Sequence, residues 1–504
     1  MGAKLRAAAG VGRWLRRTAP TTASSAAVFP PGADLPTLPP VILFLFTLVG
    51  LQLLVGAWAA RRIRTEDDYL VAGRRLGPGL AAASIFATWF GAESCVAAAG
   101  SAYEHGVGWH STEPFAYGLC LLLMGLLFAA RLWRFGITTL PDLFAQRFGA
   151  STERLAGALL LPSSLFWAAA QIHAFGDVVA INSDGALTPA HGIAIAAGIA
   201  IVYTVCGGLL ADVYTDVLQA GILVAGLVAL LVCVLLALPE LPPGASAATV
   251  PGTADDQPAS LLDLVEAWAI PILGSIVAQE AISRTLAARS ANTARTSALL
   301  GGSAYLCVGA IPLTIGLLGP QLAPGLADPE AILPTLSQQH LPGWANYLLA
   351  GALIAAILST VDSCLLVVAS LAVRNLAPAG VRARNHLVAA RVAVVIAGLL
   401  AYALATSDWD VGDLVEQASG FGSAGVLVLV VVATRGRGGS VWAANAALLA
   451  GASAWVLGRY VWPDAIPHPY LTSLAAAGLG YGLGEIGGRH RGKPASPPVS
   501  SGTP

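Results

Sequence analysis

Charge is what this 504-residue chain has little of: Asp, Glu, Lys and Arg make up 11% of it, against 56% hydrophobic residues. A water-soluble chain of this length needs far more charge to coat its surface, so the bilayer must be its main solvent. The chain has no soluble basic face that could track a phosphate backbone, which excludes nucleic acid as a partner. Catalytic signatures are missing as well. There is no HExxH, no GxSxG and no phosphate-binding loop, and Ser359 has no His base nearby, so an enzyme is not expected. Cysteine is scarce. Cys95, Cys120, Cys206, Cys233, Cys307 and Cys364 fall in apolar segments without CxxC spacing, and read as small packing residues.

What is present in quantity is long apolar runs, with 12 Trp and 56 Gly. Trp gathers at membrane interfaces and Gly lets helices approach closely. A helix needs about 20 apolar residues to cross the hydrocarbon core. By that measure the chain is an all-α polytopic membrane protein with thirteen spans, near 39–61, 79–104, 108–130, 153–181, 189–208, 213–238, 263–283, 296–320, 344–373, 386–406, 410–434, 440–459 and 467–487. Loops after odd-numbered spans carry the cations: Arg61, Arg62, Arg64, Arg74 and Arg75; Arg131, Arg134 and Arg147; Arg284, Arg289 and Arg295; Arg374, Arg382 and Arg384; Arg435 and Arg437. Loops 239–262 and 321–342 have none. Positive charge stays on the cytoplasmic side, so the N-terminus is expected outside and the C-terminus inside, in the plasma membrane and most simply a bacterial inner membrane. Residues 1–38 run against this, carrying Lys4, Arg6, Arg13, Arg16 and Arg17, and read as an extramembrane extension, expected disordered, with a targeting segment or a misassigned start as the alternatives. Residues 39–487 form the transporter domain, with its core at about 79–434, and 488–504 are expected to be a disordered cytoplasmic tail. A monomer or weak homo-oligomer is expected.

Polar groups inside spans are costly and mark function. The second span is rich in small residues and places Glu93 mid-span, beside Gly91; the seventh holds Pro271, Gly274, Gln279 and Glu280. Both are expected to break near the midplane, at Gly91 and around Pro271 to Gly274. Two broken helices five spans apart point to a five-plus-five inverted-repeat transporter. The ninth span adds Ser359, Thr360, Asp362 and Ser363, a cluster of oxygen ligands suited to a hard cation, with Asp216 in span six as a further acid.

These segments resemble the sodium:solute symporter family. The residues that carry the likeness are Asp68-Tyr69-Leu70-Val71-Ala72-Gly73-Arg74-Arg75, Ala87-Thr88-Trp89-Phe90-Gly91, Gly207-Gly208 with Thr215-Asp216-Val217-Leu218-Gln219, and Ser359-Thr360-Val361-Asp362-Ser363. The resemblance implies the leucine-transporter-like fold and a sodium-coupled symporter for a small solute. It implies a sodium ion, the coupling ion, on the backbone carbonyls of Ala87, Phe90 and Ala356 and the hydroxyls of Ser359 and Thr360, with a possible second sodium among Asp216, Asp362 and Ser363. Within the family, Ala87-Thr88-Trp89-Phe90-Gly91, Phe166-Trp167-Ala168-Ala169-Ala170 and Tyr203-Thr204-Val205-Cys206-Gly207-Gly208 look most like the high-affinity choline transporter branch. Trp89, Tyr117 and Trp167 then fall at cage positions, where cation–π attraction is worth about 2 kcal/mol when desolvated. A fourth cage position aligns with Ala278, and Glu93 and Glu280 depart from the choline pattern. The expected solute contacts are Trp89, Tyr117, Trp167, Glu93, Gln279 and Glu280. Glu93 and Glu280 either receive an amine that can donate a hydrogen bond or serve structure. Amino acids, carboxylates and sugars stay open as solutes. A transporter-like sensory membrane protein is the competing class, and would be marked by an output module.

Overall fold

The computed structural model describes residues 61–109, 111–182, 187–238, 260–377, 386–436 and 439–490, with parts of 47–59. The extension expected over 1–38 and most of the tail lie outside these residues, although the last helix runs through His490, past the expected tail boundary at 488. Helices follow in the order α1 (Glu66–Val71), α2 (Pro78–Trp89), α3 (Glu93–His105), α4 (Phe115–Arg134), α5 (Leu140–Phe148), α6 (Ala150–Asn182), α7 (Pro189–Ala237) and α8 (Leu261–Val277). Then come α9 (Gln279–Leu286), α10 (Ala291–Leu322), α11 (Ile332–His340), α12 (Gly343–Leu376), α13 (His386–Ala405), α14 (Val411–Thr434), α15 (Val441–Val461) and α16 (Pro469–His490). Among the described residues there is no strand, and one isolated bridge joins Leu76 to Ala288.

Eight of these helices are long and apolar enough to cross a membrane, and two bent pairs, α2 with α3 and α8 with α9, bring the number to ten. The 49-residue α7 holds two crossings. At 1.5 Å per residue it would measure about 74 Å, more than twice a hydrocarbon core of about 30 Å. It breaks at Gly208 (φ 53°, ψ −168°). Tyr203 and Thr215, twelve residues apart, bring their hydroxyls within 2.7 Å, which a straight helix would hold about 18 Å apart along its axis. The chain therefore doubles back at Gly208, between the fifth and sixth expected spans. A Cβ there would run into the Tyr69 ring, whose hydroxyl donates to the Thr204 carbonyl at 2.8 Å. The first expected span falls largely outside the described residues. The last, α16, is capped at its N-terminus by the Glu266 carboxylate, which accepts from the backbone N–H groups of Tyr470 and Leu471 at 2.6 and 2.9 Å.

The core is organised on α12, whose most apolar stretch is wholly buried. It packs against α2, α6, α7 and α13, and so carries Ser359 to Ser363 into the middle of the bundle. Along α2 and α3 runs α10, which contacts both halves of the bent pair.

At the end of the bundle away from loop 106–114, a polar knot ties α1, α5, α6 and α12. Arg374 donates to Asp142 at 2.9 Å and reaches Glu66 at 3.4 Å, while Asn375 donates to Asp142 and Glu153, each at 3.0 Å. Burial acts to raise the Asp142 pKa, but the Arg374 charge and the backbone N–H groups of Thr139 and Thr138 outweigh it and hold the carboxyl below its usual range. A carboxyl depressed on folding stabilises the fold above its unfolded pKa, and that contribution is lost as pH falls through the folded value.

Two outcomes follow for the purified protein in detergent. Gly208→Val should cost about 2–5 kcal/mol, combining a left-handed backbone with overpacking on Tyr69. Its thermal unfolding should fall by several degrees, and an unchanged transition would show that the hairpin does not depend on this residue. Asp142→Asn should lose about 1.5–3 kcal/mol, the range for a hydrogen bond to a charged group. The gap between it and the unaltered protein should persist at neutral pH and close only below about pH 4, where the unfolded carboxylate protonates.

Candidate functional site

The helix α2 ends at Trp89 because Phe90 turns out of helical geometry (φ −91°, ψ 72°), and α3 restarts at Glu93 through a π-helical turn, bent by 69°. The last carbonyls of a helix have no partner within it, so those at Ala87, Thr88 and Trp89 become available to other ligands. A Cβ on Gly91 would lie 2.7 Å from Gln171 Oε1, so the break is closely packed on one side. On that side Gln171 accepts from the Ala92 N–H at 3.1 Å, which satisfies the unwound backbone.

On the other side stands α12. Thr360 Oγ1 donates to the Thr88 carbonyl at 3.2 Å, and Ser359 Oγ donates to Asp216 Oδ1. Asp216 also accepts from Ser84 on α2 at 2.5 Å. The five positions expected to hold sodium, Ala87, Phe90, Ala356, Ser359 and Thr360, are all buried, and they lie on the two helix segments that meet here.

Next to them lies a cluster that sequence reading missed. Arg284 was counted among the loop cations, but it is 1% exposed. Its Nη2 sits 2.5 Å from Asp212 Oδ2, 3.5 Å from Asp216 Oδ2 and 2.5 Å from Ser363 Oγ, and its Nε donates to Ser84 at 3.0 Å. A signal for it was available: Asp212 and Asp216, like Glu280 and Arg284, are spaced i, i+4 and so share a helix face. Of the possible second sodium ligands, Asp216 and Ser363 both touch this guanidinium. Asp362 instead accepts from Thr204 Oγ1 at 3.0 Å.

The three expected cage residues do come together. Trp89 and Trp167 pack with ring centroids 5.9 Å apart, and Tyr117 meets Trp167 edge-on at 6.0 Å. Glu93 stands beside this cluster. Gln171, one turn from Trp167 on α6, donates to Glu93 Oε2 at 2.5 Å. The second break lies later than expected: a π-helical turn begins at Ile270, but the chain leaves the helix only at Ala278 (φ −63°, ψ 126°), and α8 and α9 differ in direction by 42°. Gln279, just beyond, uses both ends of its amide. Its oxygen accepts from the Leu140 N–H at the start of α5 (2.7 Å), and its nitrogen donates to Ser283 (2.9 Å). Glu280 is buried, with its backbone carbonyl accepting from Arg284 at 3.3 Å.

The model of the sodium:solute symporter family matches residues 69–435. The human high affinity choline transporter 1 is 31% identical over 357 residues, covering 65% of this chain and 60% of that protein. The chain thus spans less than two thirds of the length of that relative. The high-affinity proline transporter PutP of Bacillus subtilis (strain 168) is 27% identical over 437 residues, covering 81% of this chain and 89% of that protein. In fold, the chain is similar to a Na+-coupled sialic acid symporter, with a TM-score of 0.69 at 17% identity over 88% of this chain and 98% of the other. It is also similar to Mhp1, a nucleobase-cation-symport-1 family transporter, with a TM-score of 0.58 at 16% identity over 85% and 95%. The broken pairs, the buried α12 and this match together make the chain an all-α, multi-pass membrane protein with the leucine-transporter-like fold, and it belongs to the sodium:solute symporter family.

Proposed function

We propose that the chain is a sodium-coupled symporter importing a small organic amine, with choline and its less methylated relatives as the leading candidates. The observation that carries this is the meeting of the broken α2 with Ser359, Thr360 and Asp216. A hard cation there would be held by carbonyls of Ala87, Phe90 and Ala356 and by the two hydroxyls. Ser359, by giving its proton to Asp216, keeps its lone pairs for the ion. Charge supports the same reading. With both carboxylates ionised, Asp212, Asp216 and Arg284 sum to one negative charge in a buried place, which a bound sodium would balance.

The solute would sit against Trp89, Trp167 and Tyr117, whose faces attract a cation. Ion and solute need not touch. Both engage the α2–α3 break, so each favours the conformation the other binds, and the coupling is a shared free energy. A zwitterionic amino acid is the second reading, supported by the broader match to the proline transporter. It would place its ammonium in the same aromatic site.

For the second sodium set, Arg284 already lies between Asp212, Asp216 and Ser363, while Asp362 is held by Thr204. This supports one sodium per solute. The distribution of Arg and Lys supports an N-terminus outside, loop 106–114 outside and the polar knot at Arg374 on the cytoplasmic side of a bacterial plasma membrane. The ion and solute positions all come from one chain, which supports transport by a monomer or weak homo-oligomer.

Uptake of labelled solute into proteoliposomes should require an inward sodium gradient, and equal uptake without one would overturn the coupling. Ser359→Ala with Thr360→Ala should raise half-saturating sodium by about tenfold or more, as the loss of about 1.4 kcal/mol predicts. Solute affinity at saturating sodium should change little. Parallel sodium and solute fluxes should give a ratio of one, and a ratio of two would return Asp362 and Ser363 to a second ion site.

A further inference from the structure

Next to Glu93 lies a cavity of about 160 Å³, lined by Glu93, Ser101, Ser111, Thr112, Glu113 and Leu313 among others. It places two acids from different elements around one space: Glu93 from the start of α3, and Glu113 from the loop before α4. Each acid is held by one oxygen. Glu93 Oε2 accepts from Gln171, and Glu113 Oε2 accepts from the Tyr305 hydroxyl at 2.8 Å. Tyr305 in turn lies 2.5 Å from Ser94 Oγ, so the two arms are braced against each other through neighbouring residues. The remaining oxygen of each, Oε1, is buried with no hydrogen-bond partner. Glu93 as a residue is 6% exposed. A buried acceptor without a donor costs folding free energy, and here two such acceptors border the same cavity.

We propose that Glu93 and Glu113 form an ammonium subsite at the mouth of the solute path, selecting amines that carry at least two N–H donors over fully methylated ones. Each free Oε1 takes one N–H, and the charge-assisted bonds offset the desolvation of the acids. A quaternary ammonium has no N–H to give. It can meet the faces of Trp89 and Trp167, but it leaves both Oε1 atoms unpaired, and a site built to receive hydrogen bonds discriminates strongly against a ligand that lacks them. This inference rests on the amine-symporter reading and narrows its substrate class.

The test is equilibrium binding to the full chain in lipid nanodiscs, with ethanolamine, N-methylethanolamine, N,N-dimethylethanolamine and choline, each in sodium and in potassium. The dissociation constant should rise by about tenfold or more from ethanolamine to choline in sodium. Glu93→Gln and Glu113→Gln should each weaken ethanolamine by about tenfold and choline by clearly less, flattening the series. Stabilisation by sodium reports that each variant is folded. Should a Gln variant fail that check, Glu93→Asp and Glu113→Asp keep the charge while withdrawing the carboxylate, and should still flatten the series. Choline binding as tightly as ethanolamine overturns the inference while the symporter reading stands. So does a Gln variant that weakens all four amines alike, or one that shifts sodium affinity and leaves the amines unchanged, which would assign the acids to an inorganic cation. If no amine binds in sodium but a carboxylate or sugar does, the amine reading fails, and this inference fails with it.

Discussion

In hydrocarbon no water is available to satisfy a backbone group, so a helix can be interrupted only where the protein supplies the missing partners. The rest of this structure depends on how that demand is met between Phe90 and Ala92. Gln171 takes the Ala92 N–H on one side, and Thr360 offers its hydroxyl to the Thr88 carbonyl on the other. The partners come from α6 and α12, which must therefore lie against the break. That requirement explains why α12 is buried along its most apolar stretch, and why Gln171 and the solute candidate Trp167 share one face of α6.

Much of this could be read from the sequence, because the bilayer imposes long apolar runs and makes polar exceptions conspicuous. The break at Gly91 and the oxygen-rich stretch at Ser359 and Thr360 could be read from residue type and position, while the grouping of Trp89, Tyr117 and Trp167 was implied by the family resemblance. The structure brings each of these groups together. The expected spans ending at 208 and restarting at 213 agree with the reversal in α7, but the Tyr69 ring that makes a side chain at Gly208 untenable could not be read from sequence.

What could not be read was the pairing of charges across helices. Arg284 looks like a loop cation because a one-dimensional hydropathy reading ends the seventh span just before it. Its burial follows only from two aspartates on α7 and a serine on α12 arriving around it. The same limit applied to Gln279. Its neighbour Glu280 and its place beside the second break suggested a solute contact, but its amide instead secures the first turn of α5. Glu113 lies near the start of the third expected span, ahead of the helix that begins at Phe115, and its place beside Glu93 comes only from the shared cavity.

The grouping of Asp212, Asp216 and Arg284 has a consequence for how the carrier feels the membrane voltage. Moving one elementary charge across 100 mV changes the free energy by about 2.3 kcal/mol. With both carboxylates ionised, the ion-free cluster carries a single negative charge, which the sodium proposed above would cancel. Under the proposed symport, the reorientation that returns the ion-free carrier would then be the step in which this region moves net charge through the field. A cell interior negative to the outside would push that charge outward, resetting the binding region toward the side where sodium is plentiful. The voltage would thus act on the return stroke, and a cationic solute would add its own charge only to the loaded one.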